Sequence, residues 1–194
     1  MADFSTIKGF NVQTLSSDPY TSEAVAATWS SGGNLTTAAF YGAGAGTQTA
    51  GLTAGGSTAP PASSNRTAIT QEYDGTSWTA GGSLVVARYD AVSAGTQTAA
   101  MVAAGNYNAS PVVYAVTEEY NGTSWTAGNS MQTASTQRGS AGTQTAAFGC
   151  GGRNAADAYM DDMETYNGTT WTEVGDLNTA VSNLACAGTT TAGL

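Results

Sequence analysis

Short segments of alternating or continuous apolar residues, separated by turns, cover most of this chain. In the clearest stretch, residues 86–92 predict a first strand, and a turn at Gly95-Thr96-Gln97 leads into a second strand over 98–103. Residues 112–120 predict a third strand, and a fourth carries Trp125. No segment keeps a helical apolar spacing for more than two turns. The pattern therefore predicts an all-β protein.

Two motifs recur at nearly constant spacing. Tryptophans lie at positions 29, 78, 125 and 171, in steps of 49, 47 and 46. The hexapeptide Ala-Gly-Thr-Gln-Thr-Ala begins at 45, 94 and 141, and an altered copy at 187 keeps the same steps. Four short strands with their turns account for a period near 47. A four-stranded unit repeated at this period is typical of a β-propeller blade.

Residues 1–26 do not match the repeat, so we treat them as an N-terminal segment and 27–194 as the repeat array. Within and beside this segment, 7–15 and 24–29 each predict a strand, with a break at Asp18-Pro19 because proline removes a ladder donor.

The number of strands predicts how the array ends. Three complete blades span about 36–82, 84–128 and 132–175, and two further strands are expected at 180–186 and 190–194. Joined to the two N-terminal strands, these give a composite blade and a small ring of about four blades. Such closure protects edge strands, which otherwise invite aggregation. The alternative is that the loose strands pair between subunits and give a homo-oligomer.

The repeat resembles the kelch motif, which has a diglycine after the second strand, a tyrosine after a glutamate in the third, and a tryptophan in the fourth. The second repeat departs from this pattern with Ala104-Gly105, and a kelch-like arginine is arguable only at Arg88. The resemblance covers about 27–194 and implies a propeller in which the repeated aromatic residues pack the blades. The matching positions are Gly55, Gly56, Gly105, Gly151, Gly152, Tyr73, Tyr120, Tyr166, Trp78, Trp125 and Trp171.

Composition narrows the function classes. The net charge is −9 with five basic residues, a balance that disfavours nucleic acid and anionic membrane surfaces. Histidine is absent, and the two cysteines, Cys150 and Cys186, are expected to be small buried thiols. We therefore expect no metal site and no cofactor. The start of the chain shows no secretory signal, and no apolar run approaches the ~18 residues of a membrane span, so we expect a soluble protein made in a cytoplasm.

The loops after the diglycine positions supply the candidate binding residues. We select these loops because their sequences differ between copies, whereas the turns at the other end of each blade are nearly constant. Loops on a rigid scaffold can vary without unfolding it, and aromatic, amide and carboxylate groups suit sugar rings. The alternative is that they are ordinary surface loops. The candidates are Asn106, Tyr107, Asn108, Arg153, Asn154, Asp157 and Tyr159.

Enzymatic signatures are weak. Without histidine there is no Ser-His or Cys-His pair, and Gly42–Gly46 lacks the ending of a phosphate-binding loop. The acidic group Asp157, Asp161, Asp162 and Glu164 has no EF-hand spacing and predicts a solvated loop. Because propeller glycosidases use paired carboxylates, a glycan-active propeller stays open as an alternative.

The repeated hexapeptide and the Glu-Tyr-Asn-Gly-Thr-Ser-Trp-Thr-Ala-Gly unit also resemble kelch-like structural proteins of marine and freshwater phages, especially cyanophages. Residues 1–14 are similar to the start of tail-fibre or virion-surface proteins of such phages. The resemblance implies a non-enzymatic virion protein, assembled in the host cytoplasm as a tail fibre, appendage or capsid decoration. It would be attached through its N-terminal segment or constant face, with other virion proteins and host surface glycans as partners. A cellular kelch-type scaffold for protein partners is the main alternative.

Overall fold

The computed structural model describes residues 31–107 and 112–193. The chain divides into two units, Met1–Ser31 and Gly32–Leu194, and the described residues of the second form fourteen strands. The first sheet is formed by β1 (Ala43–Thr47), β2 (Ala50–Ala54), β3 (Thr70–Tyr73) and β4 (Trp78–Ala80). The second is formed by β5 (Val92–Thr96), β6 (Ala99–Ala103), β7 (Thr117–Tyr120) and β8 (Trp125–Gly128), and the third by β9 (Gly139–Thr143), β10 (Ala146–Cys150), β11 (Met163–Tyr166) and β12 (Trp171–Val174). A final hairpin consists of β13 (Gly188–Thr189) and β14 (Ala192–Gly193).

The all-β prediction is confirmed, and the three sheets fall within the three predicted blades. Each sheet is an antiparallel meander with its strands in chain order. The described residues hold three four-stranded sheets and one two-stranded hairpin rather than four complete blades. The strands predicted at 7–15 and 24–29, the 26/27 boundary and the N-terminal half of the composite blade lie outside the described residues.

Several predicted strand positions are wrong. The strand expected at 86–92 begins only at Val92 and continues to Thr96, so the turn falls at Gln97-Thr98. The strand expected at 112–120 starts at Thr117, and no strand forms over 180–186. The strand expected at 190–194 is β14, which pairs with β13 just before it.

Arg88 bonds to the backbone at the point where regular strand pairing ends. Its Nη1 donates hydrogen bonds to the carbonyls of Ala104 and Val116 (3.1 and 2.6 Å), and the Val116 carbonyl also accepts the backbone N–H of Ala104 at 3.2 Å.

Glycine occurs for different structural reasons in the hexapeptide and at the diglycine position. Gly95 sits inside β5 with φ of +111°, and a Cβ there would collide with the carbonyl oxygen of Ala99. At the diglycine position both residues lie at positive φ, as at Gly55 (+69°) and Gly56 (+93°). Ala104 keeps this conformation with φ of +58° although it has a Cβ. The departure from diglycine in the second copy therefore leaves the backbone path unchanged.

The first strand of each sheet lies innermost, since β1 contacts β5, β5 contacts β9, and β9 contacts β13. Apolar residues fill the space between successive sheets. Leu52, Leu84, Val102, Tyr120 and Trp125 pack between the first and second sheets, and Val92, Met101, Met131, Tyr166 and Trp171 between the second and third.

The repeated tyrosines and tryptophans hold neighbouring sheets together. Tyr120 and Trp125 pack at 4.9 Å between ring centroids, and the Trp125 indole N–H donates to Thr70 Oγ1 of the preceding sheet at 2.9 Å. Trp171 donates to Thr117 in the same way, also at 2.9 Å. A buried indole needs a hydrogen-bond partner, and here the preceding sheet provides it.

Candidate functional site

The two ends of the sheets differ in chemistry. At one end, which we call the constant face, lie the β1–β2 and β3–β4 turns and their equivalents. Asp74, Asn121 and Asn167 open the second of these turns, and each accepts two backbone N–H groups at 2.8–3.0 Å. The same hydrogen-bonded turn in three copies gives this face one repeated surface.

The glutamine of the hexapeptide bonds across sheets at the constant face. The Gln97 amide nitrogen donates to the carbonyls of Gly51 and Tyr73 in the preceding sheet (3.1 and 2.7 Å). Gln144 repeats this with Ala100 and Tyr120 (2.9 and 2.7 Å). The glutamine of the repeated hexapeptide therefore joins neighbouring sheets by hydrogen bonds.

The opposite end, which we call the variable face, carries residues 55–69, 104–107, 112–116 and 151–162. It also includes the short segments that pair with these loops or adjoin them, at 40–41, 89–90, 136–137 and 183. Each loop pairs with the segment that leads into the innermost strand. Ser57 bridges Phe40, Asn106 bridges Tyr89, and Arg153 bridges Thr136. Equivalent positions of the three copies thus carry a hydroxyl, an amide and a guanidinium on one backbone frame.

Arg153 organises the third loop. Its guanidinium donates to Asp157 Oδ1 (2.7 Å) and to the Tyr159 hydroxyl (2.8 Å), and lies 4.5 Å from the Tyr159 ring centroid. The hydrogen bond to Asp157, followed by that to Tyr159, raises the pKa of Arg153. Asn154 Oδ1 closes the loop by accepting from the backbone N–H groups of Ala156 and Ala158.

The second loop joins the first through aromatic contacts. The Arg66 guanidinium lies 4.3 Å from the ring centroid of Tyr107, which packs against Tyr114 at 5.0 Å. Asn106 donates to Thr136 Oγ1 at 2.8 Å and to Asp90 Oδ2 at 3.5 Å.

The structure brings four of the seven predicted binding residues together. Asn106, Arg153, Asn154 and Asp157 line one groove of about 160 Å³ between the second and third sheets. Tyr159 is attached to this group through Arg153, whereas Tyr107 belongs to the separate group with Arg66. Asn108 lies outside the described residues.

A larger cavity of about 290 Å³, which sequence reasoning missed, opens beside this groove. Tyr41, Asp90, Gln137 and Asn183 line it, one from each copy of the repeat. Each stands four residues before the Ala-Gly-Thr motif of its copy, and this position differs in every copy. A variable position next to a constant motif is the sequence signal that could have identified these residues.

The backbone joins these four residues in series. The N–H of Asp90 donates to the carbonyl of Tyr41 (3.0 Å), that of Gln137 to Asp90 (3.2 Å), and that of Asn183 to Gln137 (2.9 Å). Because they follow one another around the innermost strands, we call the space they enclose the axial cavity. Gln137 also lines the neighbouring groove, so the two spaces are adjacent.

The polar chemistry of the variable face is incompletely satisfied. Burial raises the pKa of Asp90, although hydrogen bonds from Gln137 and Asn106 oppose the effect. Among the residues that the structure describes, three buried side-chain polar atoms have no hydrogen-bond partner: Arg66 Nε, Gln137 Oε1 and Arg153 Nε. All three lie on this face. Buried polar atoms normally find partners, so these three atoms are exceptions to that rule.

The predicted solvated acidic loop is wrong in part. Glu164 is fully buried and lies 3.7 Å from the Arg138 guanidinium, which also pairs with Asp162. Asp157 pairs with Arg153. No group of three metal-binding side chains occurs in the described ranges. Of the two cysteines, Cys150 is buried as predicted, whereas Cys186 is only half-buried.

Comparison with known proteins shows the fold alone. No protein-family model matches the chain, and no curated protein matches it. It is similar to the solved structure of YjhT, which has a β-propeller-like fold, with a TM-score of 0.54 and 11% identity. The match covers 63% of this chain and 42% of that one, so the chain spans less than half its length. None of the described residues form a helix that could cross a bilayer.

Proposed function

We propose that this chain is a non-enzymatic structural protein of a phage virion, in a tail fibre, appendage or capsid decoration. Its constant face serves cohesion and attachment to other virion proteins, and its variable face meets host-surface molecules or neighbouring subunits. The observation that carries the proposal is the division of chemistry between the faces. Identical turns repeat at one end, whereas different polar and aromatic groups occupy equivalent positions at the other.

The kelch-like repeat units, which resemble those of phage structural proteins, supply the virion part of the proposal. The arrangement of charges supports binding over catalysis. Asp157 is held by Arg153, and Asp162 and Glu164 are held by Arg138. These carboxylates are engaged in ion pairs that position loops and strands.

A glycan-active propeller is the second candidate, and Asp90 is the residue that favours it. Its burial and raised pKa are properties of a general acid. An Asp90→Asn variant separates the two functions. Loss of glycan hydrolysis in this variant would establish the enzyme, whereas absence of hydrolysis by the unaltered protein on neutral and acidic glycans supports a binding role.

The virion role is tested by labelling intact particles from the source phage with gold-conjugated antibody against the protein, followed by electron microscopy. We expect label on the capsid face, a vertex or a tail fibre, and the position distinguishes decoration from adhesion. Antibody pre-absorbed with purified protein is the control. Label confined to the cytoplasm of infected cells would overturn the virion role and favour a cellular scaffold.

A further inference from the structure

The axial cavity is lined by four side chains whose backbone conformation favours glycine. Tyr41, Asp90, Gln137 and Asn183 have φ values of +58°, +54°, +57° and +57°. Asparagine and aspartate tolerate this region better than other residues with a side chain, but tyrosine and glutamine do not share that advantage. Glycine would adopt the same conformation without strain.

None of the four copies uses glycine at this position. At Gly46, Gly95 and Gly142 of the hexapeptide, where a Cβ would collide with backbone, glycine occupies the positive φ. Ala104 and Asp157 show that other residues also occur at positive φ in this chain. Strained backbone persists where the surrounding structure enforces it, and it clusters at binding sites. Four different non-glycine residues at this equivalent position, all lining one cavity, therefore point to a role for their side chains.

These side chains combine an aromatic ring with polar groups. Tyr41 is 58% exposed and contacts Phe40 and Tyr89, with ring centroids 4.9 and 6.3 Å away. Asp90, whose carboxylate accepts a hydrogen bond from Asn106, also lines the cavity. So do Gln137, whose buried Oε1 has no partner among the described residues, and the exposed Asn183.

We propose that the axial cavity binds the terminal neutral sugar of a glycan. Tyr41 offers a ring face for the C–H groups of the sugar, and Asp90, Gln137 and Asn183 offer acceptors and donors for its hydroxyls. A net charge of −9 disfavours sialylated or uronic sugars. The proposal rests on the proposed function in taking the variable face as the binding face, and it adds the site and the ligand class.

A cationic peptide side chain is the competing occupant, because Asp90 is negatively charged when ionised. The lining holds one carboxylate, Asp90, and one cation, Arg138. The Arg138 guanidinium is already paired with Asp162 and Glu164, so the cavity offers no free charge of its own beyond Asp90 and favours a neutral sugar. Burial also disfavours the ionised form of this carboxylate. A Lys or Arg side chain would therefore gain little from it.

The test uses the full chain on an array of neutral oligosaccharides ending in a hexose or N-acetylhexosamine, acidic oligosaccharides, and Lys- or Arg-containing peptides. The best soluble neutral oligosaccharide is then titrated against the unaltered protein and the variants Tyr41→Gly and Gln137→Gly. Thr76→Ala, on the constant face, is the matched control.

We expect binding of neutral glycans that weakens at least tenfold in both glycine variants and is unchanged in Thr76→Ala. Because glycine suits positive φ, the unfolding temperature of the two variants should stay equal or rise, which separates lost binding from lost folding. Unchanged affinity in the variants, or binding only to acidic glycans or cationic peptides, would overturn the proposal. Absence of glycan binding by a protein that nevertheless labels virions would overturn the axial site and leave the virion role standing.

Discussion

The hydroxyl of Tyr166 donates a 2.5 Å hydrogen bond to the carboxylate of Glu119, which belongs to the preceding sheet. Tyr120 makes the equivalent bond to Glu72. Each of these tyrosines is almost completely buried. Together with the indole–threonine and glutamine–carbonyl bonds, these contacts join neighbouring sheets at fixed positions of the repeat. Cohesion between sheets therefore comes from side chains that recur with the period.

Replacing Tyr166 by phenylalanine should weaken the contact between the second and third sheets. The variant leaves the Glu119 oxygen without this donor while keeping the aromatic packing against Trp171. We expect the free energy of unfolding to fall by about 1–3 kcal/mol, the typical cost of leaving a polar group without its hydrogen-bond partner. Denaturant titration of the two proteins measures it.

Glu119→Gln is the matched control, since its amide oxygen can still accept from Tyr166. It should lose less stability than Tyr166→Phe. Equal stability of Tyr166→Phe and the unaltered protein would show that the bond contributes nothing.

The two tyrosines also predict a loss of stability at alkaline pH. Burial, with the hydrogen bond to Glu72, raises the pKa of Tyr120 to about 12, and burial with the bond to Glu119 raises that of Tyr166 above its ordinary value of 10.0. Below pH ~10 both phenols are neutral in the folded and unfolded chain, so their contribution is fully present. Above pH ~10 only the unfolded chain ionises, so stability falls as pH rises towards the folded pKa.

Denaturant titrations from pH 8 to pH 12 measure this decline. The double variant Tyr120→Phe/Tyr166→Phe should show a shallower decline than the unaltered protein, because both phenols are gone. Identical slopes for the two proteins would contradict the assignment to these tyrosines.

The buried pair Arg88–Glu118 should show strong coupling. Its atoms approach to 2.5 Å with both side chains at most 1% exposed, and Glu118 also accepts the backbone N–H groups of Val85 and Val86. Glu118→Gln leaves the Arg88 charge unpaired, which should cost about 3–5 kcal/mol. In a double-mutant cycle, Arg88→Met/Glu118→Gln should be less destabilised than the sum of the single variants by about 0.5–3 kcal/mol.

The first sheet provides a natural reference for this cycle. Gln71 stands at the position of Glu118 and bonds to Thr36 and Thr37, and no arginine pairs with it within 31–107 and 112–193. The exposed pair Arg153–Asp157 is a second control, and its removal should change stability little because solvent screens it. Strict additivity at Arg88 and Glu118 would contradict the prediction.

The cysteine pair predicts an oxidative cross-link. The Sγ atoms of Cys150 and Cys186 lie 3.4 Å apart. Diamide should join them within one chain, the two thiols losing two protons and two electrons to the reagent. Burial and the contact with Cys186 raise the pKa of Cys150 to about 12, so the reaction should be slow at neutral pH.

Closing this loop should stabilise the chain by about 3–4 kcal/mol. Mass spectrometry detects the loss of two hydrogens, and Cys186→Ser is the control that cannot form the link. Cross-links formed only between chains would contradict the observed proximity.

Strand order and the three sheets were predictable because the signals are local. Alternating apolar residues and the Asn-Gly or Asp-Gly turns act over a few residues, and the copies repeat them. Strand ends were less predictable. The side chain of Arg88 takes carbonyls 16 and 28 residues away, and no local pattern shows such a partner.

Some residues of the candidate site could likewise be predicted from the sequence, and others could not. Variation among loops located Asn106, Arg153, Asn154 and Asp157, which the structure brings to one groove. It did not separate Tyr107 from that groove, because the contact with Arg66 crosses from one copy to the next.

The repeat, its period, the all-β class and the difference between a constant and a variable end of each sheet can all be read from the amino-acid pattern. These follow from residue types at fixed spacing along the chain. The shared cavity lined by Tyr41, Asp90, Gln137 and Asn183 becomes visible only in the folded molecule. Their convergence depends on how successive sheets pack through buried side chains and on a positive φ in each copy, and neither is encoded within a single repeat.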